Sequence, residues 1–474
     1  MAIKFTSLTK HLRDVNESYF THMRHAFYFC RNCLAAFLAL LVHCVAPFLF
    51  VTTGSSIISK LYKIMSVRAE VATMASGKDR HIAIVGFGLS GLLAFLNIVE
   101  KYQPSSSKLK IRIFEKSRFF SKGIAYSTRN INHLLNVPAQ KMGVFCDDRK
   151  HFFKWLVSKG YNYGENDFVP RQIFGIYLAD LLESTLRIAD KKGISYEFIN
   201  KKITNIDVKN KHYLIEGNAY NHCVLSSGVR LKNWQENFWR INLQDYLSQK
   251  EIHIRGCGLT AFDAMIALRD LNYEGTIFMH SRTGIMPQVH KINSDPSIKF
   301  TSPLTIEDAK LPLSLIFKKF TGECKNSKNW QATFDAFRPL TQDFWKALNK
   351  EKRQRFLRHC FRVWNVHRHR CPPSQFEIIS KLIDSKKVIF TKERSKVKNI
   401  IDCTGFDYGF KSKMIDSLIK NNIAIRDDLN SGIISQNSNF YIMGGLNFGS
   451  TFEITAVPDI APQAREIANK IFNQ

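Results

Sequence analysis

The chain has 474 residues, 45% of them hydrophobic, which exceeds a single core and suits a folded protein of two or three domains. Its 68 basic and 40 acidic residues leave a formal charge of +28. The basic residues are spread along the chain without an RNA-binding signature, so nucleic acid is not an expected partner. The ten cysteines are scattered, with Cys30 and Cys33 the one close pair. That pattern predicts reduced, mostly buried thiols in a cytosolic compartment and no metal site.

Residues 1–80 read as a separate helical module. Cys33–Val51 is an apolar run interrupted by His43 and Pro47, about as long as a bilayer is thick. It begins too far from the start, behind too polar a segment, for a secretory signal. Arg24, His25 and Arg31 flank one side, and Lys60, Lys63 and Arg68 the other, so charge does not orient it. Tyr19, Phe20, Met23, Ala26 and Phe27 at helical spacing predict an amphipathic helix before the run. Two readings stand. Residues 16–60 associate with a membrane and tether a cytoplasmic protein to its inner face, or they form a helical hairpin buried on the body. The pattern His11, Glu17–Phe20, His22-Met23, Ala26, Val42-His43, Pro47–Phe50 and Ser55 resembles a small bacterial membrane-associated family of unknown function. Residues 65–80 read as a linker.

His81–Val85 is an apolar run of the kind found in a buried parallel strand, and Gly86-Phe87-Gly88-Leu89-Ser90-Gly91 follows it. Gly86 allows a tight turn, Gly88 a close approach to a pyrophosphate, and Gly91 close packing of the next helix, expected from Leu89 to about Tyr102. The helix N-terminus, at Ser90, supplies N–H donors for phosphate. A second strand, Ile111–Phe114, ends at Glu115, 24 residues after Gly91, where an acid grips ribose hydroxyls. Strand, turn, helix, strand and acid together predict a dinucleotide site.

The arrangement recurs at Ile252–Ile254, followed by Gly256, Gly258, Thr260 and Ala261. Alanine in the third position is tolerated where NADP binds. The next strand, Thr276–Met279, ends in His280-Ser281-Arg282 without an acid. A carboxylate there would repel a 2′-phosphate, whereas Ser281 and Arg282 would hold one. NADP(H) is therefore expected over NAD(H), with NAD(H) left possible. Two segments, Cys223–Gly228 and Ile400–Gly405, are apolar strands ending in small residues and glycine. They mark crossings between two dinucleotide folds. The expected organisation is α/β: a Rossmann-like dinucleotide-binding domain at 81–250, an inserted Rossmann-like NAD(P) domain with a helical segment at 251–399, and a return to the first domain at 400–474.

The densest basic stretch runs from Trp345 to Arg370. Helical spacing predicts Phe356, His359, Cys360 and Val363 on one face. The stretch closes the active site as a charged helix, clamps cofactor phosphate, binds an acidic substrate, or touches nucleic acid or anionic lipid. His367 is the candidate acid/base.

Several blocks carry a wider resemblance: Gly123–Ser127, Leu134–Ala139, Phe168–Arg171, Trp364–Arg370 and Thr451–Asp459. Over residues 80 to 474 the chain resembles bacterial FAD/NAD(P)-binding proteins related to flavin-dependent oxidoreductases and monooxygenases. The resemblance implies FAD in the first domain and NAD(P)H in the second. It places Leu135, Asn136 and Pro138 near the flavin ring, and Gly445 with Thr451, Ala456, Val457 and Pro458 over its ribityl and pyrimidine edge. A helix starting near Pro458 would aim its N-terminus at the flavin N1–C2=O edge, where negative charge develops on reduction. One pattern departs. The segment Trp234–Leu243 lacks the Phe-x-Gly-x-x-x-His fingerprint of flavin-containing monooxygenases, which leaves oxygenation open against plain reduction. No Cys-x-x-Cys stands beside the flavin segments, which argues against a disulfide reductase. The expected activity is an NADPH-using flavin oxidoreductase acting on an unidentified small molecule; the alternative is a non-catalytic dinucleotide-binding sensor or scaffold at a membrane.

Overall fold

The computed structural model describes residues 18–75, 79–105, 107–117, 120–209, 211–281, 283–291, 300–392 and 400–473. In chain order the strands are β1 (Arg80–Val85), β2 (Leu109–Phe114), β3 (Ser195–Ile199), β4 (Asp207–Lys209), β5 (His212–Ile215), β6 (Asn218–Tyr220), β7 (His222–Leu225) and β8 (Arg230–Leu231). They continue as β9 (Glu251–Arg255), β10 (Thr276–His280), β11 (Val388–Thr391), β12 (Ile400–Asp402), β13 (Phe406–Asp407), β14 (Ala424–Arg426), β15 (Ile433–Ser435) and β16 (Phe440–Ile442).

Two parallel sheets organise the body. The first has the order β16-β7-β1-β2-β3, so its last strand comes from the end of the chain. The second has the order β11-β10-β9-β12. Both central strands, β1 and β9, are buried through most of their length and lead into a glycine turn and a helix. A strand–helix–strand crossover then carries the chain to a parallel neighbour. The fold is thus two Rossmann-like units, the second inserted in the first. Between them the chain crosses twice, and β8 and β13 pair antiparallel at the crossing: Phe406 opposite Leu231 and Asp407 opposite Arg230. Gly228 and Gly405, at φ +72° and +89°, lead into these two strands. The strand at 400–402 still belongs to the second sheet, so the return crossing begins after it.

A helical insertion separates β10 from β11. It contains helices Leu313–Asn326, Trp330–Ala336, Thr341–Ala347, Lys350–His359 and Phe361–Arg368 around an aromatic cluster that includes Phe320, Phe334, Phe337, Trp345, Phe356 and Trp364. Phe448 and Phe452, from the C-terminal return, complete that cluster. The basic stretch therefore does not form one helix with the expected face. It breaks at Cys360, and Phe356 is buried while His359 and Val363 are exposed. An apolar cavity of about 50 Å³ lies among these aromatics, away from both glycine turns.

The N-terminal module is a hairpin. Helix Tyr19–Val45 stops just before Pro47, and helix Thr53–Ala75 runs back from the turn. The apolar run expected as one span thus contains the bend. The linker expected at 65–80 is helical as far as Ala75, because Met65–Ala75 is rich in helix-forming Ala, Met, Glu and Arg; residues 76–78 lie outside the described residues.

Candidate functional site

At the first turn Gly86 has φ +95°, a conformation that favours glycine. A Cβ on Gly91 would lie 2.2 Å from Gly86 O, so only glycine lets the Leu89–Lys101 helix sit this close to the turn. A Cβ on Gly88 would meet only the backbone of Gly123, at 3.4 Å. The Gly123–Ser127 block therefore passes the mouth of the turn, glycine facing glycine. The helix starts at Gly88 with no side-chain cap, leaving first-turn N–H groups for an anion. Glu115 stands beside it. Its Oε2 accepts from Phe87 N–H at 2.7 Å and its Oε1 from Ser117 N–H at 2.9 Å. Each oxygen keeps acceptor capacity for a ribose hydroxyl.

The second turn repeats the plan. Gly256 has φ +108°, and a Cβ there would lie 2.9 Å from Cys403 O. Nothing lies within 4 Å of a Cβ built on Gly258. The Leu259–Asp270 helix also begins on an uncapped glycine, with Thr260 half-buried and Ala261 fully buried in its first turn. Ser281, at the end of β10, is buried, and its hydroxyl accepts from Gly284 N–H at 3.1 Å and from Arg362 Nη2 at 2.5 Å. Arg362 Nη2 also reaches Cys257 Sγ, between the two glycines, at 3.4 Å. Arg282 lies outside the described residues. The cation that the structure sets against this turn is Arg362, delivered by the helical insertion. The sequence singled out its basic segment but gave no reason to pair it with Ser281.

The segment Asn130–Ala139 is strapped between the two units. Asn130 and Asn132 both donate to Asp270 Oδ2 at 2.9 Å, and Gln375 Nε2 donates to Asn132 O at 2.8 Å. Arg171 Nη2 pairs with the buried Asp263 carboxylate at 3.0 Å. His133 Nε2–H donates to Asp263 O at 3.0 Å, and its Nδ1 accepts from the Thr128 hydroxyl at 2.8 Å. That tautomer is a neutral ring, in keeping with burial, which pushes the His133 pKa down. His290 Nε2 donates to Asn136 O at 2.9 Å; burial, then the nearby Arg370 charge, takes its pKa down to about 4. Leu135 is buried, its N–H bonded to Val169 O at 2.9 Å, and Pro138 opens the short turn Ala139–Lys141. Of the first-domain residues expected at the flavin ring, Asn136 is thus held by the second unit, whereas Leu135 is held within its own. Neither His133, Asp263, Arg171 nor His290 stood out in the sequence as a tie, because their partners lie about ninety residues or more away.

The C-terminal return forms the other wall. Ser90 and Gly444 adjoin, since a Cβ on Gly444 would lie 2.7 Å from Ser90 Oγ. Gly445 packs on Val229, and Thr451 Oγ1 donates to Asn447 O at 2.8 Å. Helix Val457–Phe472 has Ala456 as its N-cap, no side-chain cap, and Pro458 in its first turn. It packs along the Leu89–Lys101 helix. Phe452 has φ +63°, a strained conformation for a phenylalanine, and is held by stacking on Trp345 with centroids 4.5 Å apart.

Buried ion pairs fasten the helical insertion to this wall. Glu453 accepts from Trp364 Nε1 at 2.7 Å and from Arg368 Nε at 2.8 Å. Arg338 grips Asp459 through its Nε–Nη2 edge, both nitrogens donating to Oδ1, Nε at 3.1 Å and Nη2 at 2.9 Å. Burial alone would raise the Glu453 carboxyl. The Arg368 charge, with His369 and the Trp364 N–H, outweighs it and holds the group below the usual carboxylate range. Beside this network His367 takes a different position. Its Nδ1 bonds Val363 O at 2.8 Å within its own helix, and its ring packs edge-on against Trp330.

With both turns described, comparison with known proteins becomes informative. Residues 83–229, from β1 through β7 to Val229, match the family described as FAD-NAD(P)-binding. This segment is an FAD-NAD(P)-binding domain. Residues 6–68 match a family of unknown function. The fold is similar to that of an ornithine N-hydroxylase from Kutzneria sp. 744, at TM-score 0.53 and 13% identity, covering 83% of this chain and 98% of that one. It is also similar to an ornithine hydroxylase from Pseudomonas aeruginosa, at TM-score 0.52 and 13% identity, covering 83% of this chain and 99% of that one. No curated protein matches the chain in sequence.

Proposed function

We propose that the protein is an FAD-dependent oxidoreductase that takes reducing equivalents from NADPH, and from NADH less well. The observation that carries this is the pair of uncapped glycine turns in one chain, joined across the segment Asn130–Ala139. The residues present fit both groups: a glycine opposite a glycine at one turn, an unobstructed glycine at the other, and a carboxylate at the end of β2. Bound FAD would supply hydride acceptance and onward electron transfer.

The chain's own residues do the positioning. Glu115 holds ribose hydroxyls, and the N–H groups after Gly88 and Gly258 hold phosphates. The uncapped N-terminus at Ala456–Val457 sets positive potential against developing negative charge. Ser281 and Arg362 receive the 2′-phosphate. Asn136, fixed by His290, keeps the two units in register, and the ion pairs at Glu453 and Asp459 hold the helical insertion down as a cover that excludes water. Electrons end on oxygen and a small substrate or on a small acceptor. The Kutzneria enzyme's structure carries reduced FAD, NADP+ and L-ornithine, which supports a small organic substrate here. The hairpin tethers this cytoplasmic body to the inner face of a membrane.

The test is spectroscopic. Purified protein should be yellow and should bleach on anaerobic addition of NADPH. Oxygen should then restore the colour, with peroxide quantified in the absence of substrate. A colourless protein that releases no flavin on denaturation would overturn the enzyme reading and favour a dinucleotide-binding sensor.

A further inference from the structure

The hairpin has a shape that says how deeply it can enter a membrane. At its tip Val45, Phe48, Leu49, Phe50 and Val51 are 86, 78, 45, 51 and 66% exposed. Down both helices Phe20, Phe27, Leu34, Phe37, Leu38, Leu41, Ile58 and Tyr62 also face outward. Among the described residues of the hairpin with resolved burial, what lies inside is mostly small: Ala36, Ala39 and Gly54 are buried together with Leu61, and a Cβ on Gly54 would lie 2.7 Å from Cγ of Leu40, which is otherwise largely exposed. Close helix approach through small residues leaves the large apolar side chains pointing away from the pair. A solvated hairpin would have the reverse arrangement.

Charge fixes the occupant. Residues 18–66 contain no Asp or Glu. The nearest charged residues below the tip are Lys60 and Lys63 on one arm and Arg31 on the other. At 1.5 Å per residue, Lys60 is about 12 Å and Arg31 about 22 Å from the turn. A charge-free cap of that depth matches the roughly 15 Å hydrocarbon of one leaflet and falls short of a ~30 Å core. The basic residues then lie at the headgroups, where anionic lipid attracts them.

The turn satisfies part of its own backbone. Backbone groups in hydrocarbon need internal partners. Here Ala46 N–H bonds Val42 O at 2.8 Å, Leu49 N–H bonds Ala46 O at 2.9 Å, and Thr53 N–H bonds Phe50 O at 3.2 Å. His43 Nδ1 donates to Leu49 O at 2.8 Å, and Ser55 and Ser56 return their hydroxyl protons to Thr52 O and Thr53 O. His43, the one ionisable side chain in the apolar run, is the cap of a loop carbonyl at the tip.

Building on the membrane tether of the proposed function, we infer that the hairpin enters one leaflet of an anionic phospholipid membrane tip-first and does not cross it. Both arms and the flavin body stay on the same side. This geometry gives the body access to substrates or acceptors dissolved in that leaflet.

Full-length protein is floated with phosphatidylcholine vesicles, with and without phosphatidylglycerol. Flotation is expected with both, at least about tenfold stronger with the anionic lipid. Phe48→Asp with Val51→Asp should abolish it without moving the thermal unfolding of the body, and Lys60→Glu with Lys63→Glu should remove the anionic preference. In a background with Cys30, Cys33 and Cys44 changed to Ser, a membrane-impermeant maleimide should label Tyr19→Cys from outside the vesicle. Phe48→Cys should be protected both from outside and from reagent sealed inside. Labelling of Phe48→Cys from inside means a hairpin that crosses, which overturns the one-leaflet geometry while leaving the tether. Absence of flotation in both lipids, with or without self-association through the hairpin, overturns the geometry and the tether together.

Discussion

Arg362 donates to the Ser281 hydroxyl at 2.5 Å, joining the helical insertion to the end of β10 across 81 residues of sequence. The same guanidinium nitrogen reaches Cys257 Sγ inside the second glycine turn. On the proposed function, a charge held there meets a 2′-phosphate and little else on the cofactor. Arg362→Gln should raise KM for NADPH by about tenfold or more, corresponding to the ~1.5–3 kcal/mol of a charged hydrogen bond. KM for NADH should change little, and kcat at saturation should hold. Steady-state kinetics with both nucleotides decide it. Equal losses for the two would mean that Arg362 does not meet the 2′-phosphate.

The glycines separate packing from binding. A methyl group at Gly91 would run into Gly86 O at 2.2 Å, whereas one at Gly258 meets nothing within 4 Å. Gly91→Ala should therefore lower thermal stability and flavin content together. Gly258→Ala should keep both, yet weaken NADPH binding, because the added methyl occupies the approach of the pyrophosphate to the backbone. Unfolding curves, the flavin-to-protein absorbance ratio and an NADPH titration are the measurements. A Gly258→Ala protein with unchanged NADPH affinity would count against the second turn as a phosphate site.

These contrasts mark what the sequence made legible. The two strand–glycine–helix units and the double crossing could be read because each depends on local pattern: apolar runs, glycine spacing, a terminal acid. The first sheet's order and the antiparallel Leu231–Phe406 pairing follow that reading. The tertiary partners could not be read. Glu453 sits in an apolar stretch, Phe452–Ile454, and looks isolated until Trp364 and Arg368 arrive from 89 and 85 residues upstream. His367 attracted notice as the histidine of a basic segment, yet its helix and Trp330 hold it. The apolar run at Cys33–Val51 had the length of a span, but the helix ends before Pro47, which cannot donate the N–H that would continue it.

Removing one partner of a buried ion pair leaves an uncompensated charge, at a cost of ~3–5 kcal/mol. Glu453 and Arg368 are both nearly inaccessible, at 8% and 9% side-chain exposure. Glu453→Ala should therefore destabilise the protein by about that amount and loosen the helical insertion from the C-terminal wall, whereas Lys381→Ala, removing an exposed pair with Glu377, should cost under about 1 kcal/mol. Denaturant titrations followed by intrinsic fluorescence measure both. Because the Glu453 carboxyl is held low, its contribution is present above the unfolded value near 4.3 and disappears as pH falls below it. Comparable midpoints for the two variants would mean that the insertion is held by its aromatic cluster alone.

Acid should also act earlier, through histidines. Burial takes His222, His290 and His369 down to about 4. An unfolded histidine titrates near 6.5, so between about pH 6.5 and 4 the unfolded chain binds protons that the folded chain does not. Stability is therefore complete above about 6.5 and declines as pH falls through that window, at up to ~1.4 kcal/mol per pH unit for each histidine. The unfolding temperature should drop between pH 7 and pH 5, and His290→Gln should make the drop smaller. His290 matters most for function, since its neutral ring holds Asn136 O and with it the seam between the two units. NADPH-driven flavin reduction in the native protein should hold across that window and slow only as pH approaches about 4, where the folded His290 ring takes its proton. An unfolding temperature that stays flat from pH 7 to pH 5 would show that these rings remain accessible to protons in the folded state.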